Sequence, residues 1–373
     1  MPKNLLEPLL LTPGPLTTSK SVKEAMLHDW GSRDTSFIDM TERVRLGVEN
    51  IAGVKQNSGS HTCILIQGSG TFAAEAAITS LVPRDGKVLV LVNGAYGRRF
   101  CKICKYHNRA FVPYETEESA PPSLTKLASL LETDPKITDV VVVHCETTSG
   151  ILNPILEISE LVAGAGRRLI IDAMSSFGAL PLDVEDTRSS AIIASSNKCL
   201  EGVPGIGFVI VESATLIASK NNANSLSLDL YDQWRSFEKN GQWRFTPPTH
   251  VLAALDQAIS EHAAEGGVSV RGARYNKNCQ ILIEGMERLG FRRYLSDNLQ
   301  APIIVTFYIP EHKSFDFDQF YNALKDRGFT IYPGKLTKIN SFRMGCIGHL
   351  NEGDMTAAVR AVSDVMVEMK INF

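Results

Sequence analysis

Lys198 follows the apolar run Ala191 to Ala194 and the polar triplet Ser195-Ser196-Asn197, and Gly202, Pro204, Gly205 and Gly207 come soon after it. Most lysines are solvated surface points, so an amine at the end of an apolar run is unusual. Asp172 ends a second such run, Leu169-Ile170-Ile171. A carboxylate there needs a cation or a helix N-terminus to offset its lost hydration, and it either caps the next helix or faces a positive partner. After His61 to Gln67 comes the turn Gly68-Ser69-Gly70-Thr71. It offers backbone N–H groups, two hydroxyls and a positive helix end to an anion such as a phosphate, although a tight turn between strand and helix also asks for small residues. One amine, one acid and one anion cradle therefore each stand just past an apolar run.

The elements that must position them read as alternating strands and helices. Phe37, Met40, Val44, Val48 and Ile51 recur at helical spacing from Ser36 to Val54, and the helix ends near Gly53. His61 to Gln67 reads as a buried strand and Phe72 to Val82 as a helix closed by Pro83. The rhythm continues with strand Lys87 to Val92, helix Tyr96 to His107, strand Ala110 to Val112, helix Ser123 to Glu132, strand Asp139 to His144, helix Ile155 to Ala165 and strand Leu169 to Ile171. Such alternation predicts an α/β fold with a mostly parallel sheet covered on both faces. Ala191 to Ala194 and Gly207 to Val211 add two strands, the second antiparallel because only a loop separates them. An N-terminal segment over residues 1–15, a large domain over 16–264 and a small α+β domain over 265–373 are expected. The break falls where Glu265-Gly266-Gly267 interrupts a helical pattern.

Composition narrows the function. Thirty-eight Lys and Arg against 41 Asp and Glu leave a net charge of -3 over 373 residues, too near balance to hold a polyphosphate backbone, so nucleic acid is not an expected partner. Apolar runs such as Val140 to Val143 are far short of the ~20 residues of a membrane span, and the N-terminus lacks the charge pattern and apolar length of a signal peptide. Seven scattered cysteines suit a reducing compartment, so a cytoplasmic location is expected. Cys101, Cys104 and His107 have metal-like spacing without a second pair, and buried thiols are the simpler reading.

Amine, acid and cradle have a common solution in pyridoxal 5'-phosphate (PLP). Its aldehyde needs a lysine amine, its pyridine nitrogen a carboxylate, and its phosphate N–H and hydroxyl donors. Tyr96, at the start of a helix after Lys87 to Val92, is placed to stack on the ring or simply to pack. Arg343, between Phe342 and Met344, needs an anion, either a structural carboxylate or a substrate.

The stretch Ser195 to Gly205, the segment Asp172-Ala173-Met174-Ser175-Ser176-Phe177-Gly178 and the turn Gln67 to Thr71 resemble the class V aminotransferases of the aspartate aminotransferase fold, PLP fold type I. Further matches are Leu11-Thr12-Pro13-Gly14-Pro15, Asn93-Gly94-Ala95-Tyr96-Gly97, Glu146-Thr147-Thr148-Ser149-Gly150, Arg244 to His250 and Phe342-Arg343-Met344-Gly345. The resemblance implies that Lys198 joins the cofactor aldehyde, Asp172 partners the pyridinium, Tyr96 stacks, and Ser69, Gly70 and Thr71 cradle the phosphate. It further implies Asn197 near the phosphate, Thr147 beside the ring hydroxyl, Thr246 reaching the phosphate from a partner subunit, and Arg343 gripping the substrate anion. A homodimer with shared sites is thus expected.

The implied reaction is an amino transfer from 2-aminoethylphosphonate to pyruvate, giving phosphonoacetaldehyde and alanine, as in phosphonate catabolism. The alternative is an alanine:glyoxylate or serine:pyruvate type of aminotransferase. The segment His28 to Asp34 matches this family least well, and Arg33 within it is either a second anion contact or a surface charge before a helix. Outside transaminases, a nucleotide-binding oxidoreductase would use the glycine turn for a pyrophosphate, but Ala73 stands where that fingerprint has its third glycine.

Overall fold

Seven apolar runs pair into one sheet. They are β1 (His61–Gln67), β2 (Lys87–Val92), β3 (Ala110–Glu115), β4 (Ile137–Val143), β5 (Arg168–Asp172), β6 (Ala191–Ser195) and β7 (Ile206–Glu212), in the spatial order β1-β7-β6-β5-β4-β2-β3. The computed structural model describes residues 7–332 and 339–371. Only β7 runs antiparallel to its neighbours, as its direct return by a loop from β6 requires. Residues such as Val140, Val141, Ile170, Ile171, Ile192 and Ile193 are sealed from solvent, which is what continuous apolar strands covered on two faces demand.

The covering helices obey their sequence signals. Helix α1 (Thr35–Ile51) buries Phe37, Met40, Val44 and Val48 along one stripe. Helix α2 (Gly70–Leu81) turns its alanines onto the sheet and stops before Pro83. Helices α3 (Ala95–Tyr106), α4 (Leu124–Thr133) and α5 (Ile155–Gly164) complete the crossovers. Strand β3 runs past Val112, where the sequence suggested an end, through Pro113 to Glu115. It is an edge strand, so a proline there removes no ladder bond on its open side. Helix α6 (Leu230–Asn240), capped by Asp229, was not expected, since Leu230, Gln233 and Phe237 leave only a short buried stripe.

Helix α7 (Thr249–Glu265) ends at Gly266, and α8 (Gly267–Arg288) leads away to a second core. There β8 (Ile304–Tyr308) and β9 (Ser341–Gly345) pair antiparallel, with Thr306 opposite Arg343, under helices α9 (Phe317–Asp326) and α10 (Glu352–Glu368). Phe291, Phe307, Phe320 and Phe342 pack edge-to-face or tilted against one another within this core. Leu9–Leu10 lies parallel to Phe329–Thr330, and Leu11 is buried in the same core, so the described part of the expected N-terminal segment runs along the second core. Residues 1–6 of that segment, and residues 333–338 and 372–373 of the expected small domain, lie outside the described residues. Among the described residues, no helix is long and apolar enough to cross a membrane.

Candidate active site

Strands β5 and β6 are neighbours, so the residues after their carboxyl ends must meet, and this is where Asp172 and Lys198 stand. They line one cavity of about 160 Å3 with Ser69, Gly70, Thr71, Tyr96, Arg99, Met174, Ser175 and Asn197. A roomier groove around His144 has carboxylates at its rim but no amine, and it holds none of these groups.

Asp172 is 5% exposed, and among the described residues its carboxylate has one hydrogen bond, from Met174 N–H at 2.9 Å. Burial pushes its pKa up to about 7, against the Met174 N–H, which lowers it, with Glu146 adding repulsion. Arg99 and Lys198 act on it only through space, and among the described residues no cation bonds it, a partner that a protonated ring nitrogen supplies. Lys198 Nζ donates to Pro13 O at 2.8 Å and Gly14 O at 3.4 Å, and among the described residues no carboxylate bonds it. Burial lowers its pKa to about 8, with the Asp172 charge opposing, so its neutral form is accessible near physiological pH. Gly14 holds φ at +117°, and a Cβ there would stand 2.7 Å from Lys198 Cδ, so the N-terminal segment can pass over the amine only as glycine.

The cradle is the N-terminus of α2. Ser69 is its N-cap but makes no side-chain cap, which leaves the first N–H groups of a 12-residue helix facing the cavity. Thr71 Oγ1 accepts from Arg99 Nη1 at 3.0 Å. The Arg99 guanidinium also lies 4.7 Å over the Tyr96 ring. Sequence reasoning missed Arg99, although its place one turn after Tyr96 on a helix that starts at the site was a usable signal.

Glu146 was also quoted without a role. It is fully buried, and Oε2 accepts the N–H groups of Tyr96 at 3.1 Å and Gly97 at 3.2 Å, while Oε1 accepts from Thr148 N–H at 3.1 Å and from its hydroxyl. A carboxylate thus caps α3 and fixes the base of the Tyr96 ring. Burial raises its pKa despite these donors. A side chain on Gly94 would collide with it. Its signal was the one that marked Asp172, an acid just past a buried strand.

The Thr147 side chain hydrogen-bonds the Tyr96 hydroxyl, and its carbonyl accepts from Arg343 Nη1 at 2.6 Å. Arg343 is 7% exposed, stacks over Tyr332 at 4.7 Å, leaves Nε without a partner and pairs with no carboxylate among the described residues. Its pKa falls by burial. A buried guanidinium with an unused donor is a grip for a mobile anion. Asn197 Oδ1 accepts from Ser195 at the cavity wall. Thr246 and Arg33 are exposed and outside this cavity; Gln67 Nε2 holds the Thr246 carbonyl at 2.8 Å, and Arg33 lies in the turn before α1. Cys101 is half-buried and Cys104 buried, and His107 bonds Glu75, so these three do not converge.

A seven-stranded, mostly parallel sheet with an amine and an acid at adjacent strand ends is the design of fold type I aminotransferases, and the chain belongs to the family described as aminotransferase class-V, whose model matches residues 19–342. It is 52% identical over 368 residues, 99% of each chain, to a 2-aminoethylphosphonate–pyruvate transaminase of Pseudomonas fluorescens. It is 52% identical over 366 residues to the protein of that name from Rhizobium meliloti, covering 98% of this chain and 95% of the relative. Among solved structures, alanine–glyoxylate aminotransferase from Nostoc sp. superposes with a TM-score of 0.90 at 23% identity, over 98% of this chain and 97% of that one. PLP-bound phosphoserine aminotransferase from Trichomonas vaginalis superposes with a TM-score of 0.75 at 16% identity, over 95% of this chain and 99% of that one.

Proposed function

We propose that the cavity binds PLP and that the protein transfers the amino group of 2-aminoethylphosphonate to pyruvate, giving phosphonoacetaldehyde and alanine. The observation that carries this reading is the meeting of a depressed amine, Lys198, with a cation-seeking carboxylate, Asp172, beside an uncapped helix N-terminus. The relatives of that name match nearly the whole chain. When bound, PLP supplies an aldehyde for amine exchange and a ring that accepts the electron pair released at the substrate carbon.

The chain's own residues do the rest. The α2 N-terminus with Ser69, Gly70 and Thr71 holds the phosphate, with Asn197 nearby, and Asp172 holds the ring N–H. Tyr96 stacks and Thr147 stands beside the ring hydroxyl. Lys198 Nζ, released from the aldehyde carbon when the incoming amine replaces it, would take the proton from the substrate's amine-bearing carbon and pass it to the cofactor carbon that had carried the aldehyde, so that the nitrogen stays with the cofactor. Arg343 orients the substrate, and its paired donors fit a phosphonate and a carboxylate alike, so one residue serves both half-reactions.

A homodimer completes the site in this reading. Thr246 beside Phe245, and Phe72 just past the cradle, are exposed on one chain, with Phe72 50% and Phe245 42% open. Thr246 of the partner subunit then reaches the phosphate, and Arg33 enters only if a second chain carries it to a neighbouring cavity. Seven free cysteines support a cytoplasmic location. The separate hydrophobic cores support a division at residues 264–265.

Incubating the holoenzyme with 2-aminoethylphosphonate and pyruvate, alanine and glyoxylate, or serine and pyruvate tests the donor. Rapid phosphonoacetaldehyde and alanine formation from the first pair is expected. Faster turnover of either other pair contradicts the assignment and favours the alanine:glyoxylate or serine:pyruvate reading.

A further inference from the structure

Three residues beyond Lys198 lies a buried charge cluster that the proposed mechanism leaves unused. Glu201 is 3% exposed and holds φ at +61°, and its N–H closes a turn on the Lys198 carbonyl at 2.8 Å. A non-glycine residue in the left-handed region, with its carboxylate out of water, persists only where its surroundings hold it. Its Oε1 accepts from Arg274 Nη2 at 2.7 Å and Tyr275 Oη at 2.5 Å. Arg271 secures the same loop by donating Nη1 to Cys199 O at 2.9 Å.

Arg274 reaches further. Nε donates to Glu265 Oε1 at 2.7 Å and Nη2 also meets Glu265 Oε2 at 3.3 Å, while Nη1 donates to Gly348 O at 2.7 Å and Leu350 O at 2.9 Å. Those two carbonyls belong to the loop that follows β9, the strand of Arg343. Desolvation works against the guanidinium, yet Glu265 and Glu201 outweigh it and its pKa is raised. All five N–H directions of the planar fork are engaged. A lysine, with three donors on one point, cannot span the same acceptors.

We infer that Arg274 is a positioning residue that sets the separation of Lys198 from Arg343, holding the amine's loop through Glu201 and the anion grip's loop through the Gly348 and Leu350 carbonyls. The inference rests on the roles proposed for those two residues. Substrates that engage both ends at once depend on Arg274, and amines that engage only Lys198 do not.

The test follows the cofactor absorbance in the first half-reaction of the holoenzyme, with 2-aminoethylphosphonate against propylamine, an amine of matching length without an anion. Arg274→Lys is expected to lower kcat/KM for 2-aminoethylphosphonate by about 20-fold, mainly through KM, and to change propylamine by less than about twofold. In an Arg343→Ala background the same change adds less than about twofold, because the coupling it served is gone. Glu201→Gln keeps volume and an acceptor oxygen and gives the same selective loss at about fivefold; it decides the matter alone if Arg274→Lys does not fold. Equal losses with both amines, a loss undiminished in the Arg343→Ala background, or no loss at all overturns the inference. Wild-type enzyme that ignores 2-aminoethylphosphonate but accepts alanine overturns the donor assignment alone, and the paired comparison then runs between alanine and ethylamine.

Discussion

The cavity has two sides built in different ways. Asp172 ends one strand of a seven-stranded sheet, paired with Ile193 of the next, and Lys198 stands in the turn three residues past the end of that neighbouring strand, so the ladder anchors both. Arg343 instead belongs to a two-stranded sheet in a second core and meets the first side through side chains and loops, donating to the Thr147 carbonyl, with the Arg274 network tying the loop after its strand to the lysine loop. A cofactor that stays through every turnover suits the rigid side. A grip that must release one anion and accept another suits the side held by loops and side chains. Glu146 and Arg99 extend the rigid side to Tyr96 by fastening its backbone and its ring face.

Substitutions on the two sides should therefore fail differently. Asp172→Asn removes the ring's charged partner and is expected to cut turnover by roughly 100- to 1,000-fold whatever the substrate, as loss of a buried charge partner does. A loss seen with only one substrate would break the comparison. Arg343→Ala is expected to cost about 100-fold in kcat/KM with 2-aminoethylphosphonate and with pyruvate, while PLP affinity changes by less than about threefold. Equilibrium titration with PLP checks that separation.

A smaller effect comes from Lys198. With its pKa lowered to about 8, the rate of PLP capture should rise about tenfold per pH unit below 8 and flatten above it, where an exposed lysine would go on climbing past 10.

The smallest is in stability. Asp172 binds its proton more tightly folded than unfolded, so the cofactor-free chain keeps that contribution below the ordinary carboxylate range and loses it as pH rises through 7. Cofactor-free Asp172→Asn should then melt a few degrees (~4 °C) above wild type at pH 8 and within about a degree at pH 4. Thermal melts at the two pH values read this directly.

Much of the rigid side was legible in the sequence, because apolar runs announce strands and an odd polar residue at the end of each announces a site. His61–Gln67 and Lys87–Val92 ended as read, and strand ends singled out Asp172 and Lys198 as candidates, whose roles came from their coincidence with the glycine turn and from the resemblance. Glu146 carried the same signal but was obscured by the polar run Thr147-Thr148-Ser149. Arg343 announced a need for an anion but not where that anion would lie, since its placement depends on β8 pairing and on Thr147 from the other core. The Glu201 network was not legible, since it joins the lysine loop, α8 and the turn after β9 through tertiary contacts with no local pattern. Arg33 and Thr246 could be flagged by resemblance only, and on one chain both face solvent.

Borohydride reduction of the PLP-loaded protein, followed by peptide mapping, tests the central assignment most directly. The account predicts one equivalent of reduced cofactor per chain on the peptide containing Lys198, with none in Lys198→Ala and turnover in that folded variant down roughly 1,000-fold or more. Cofactor trapped on a different lysine, or amino transfer by Lys198→Ala at the wild-type rate, would contradict it.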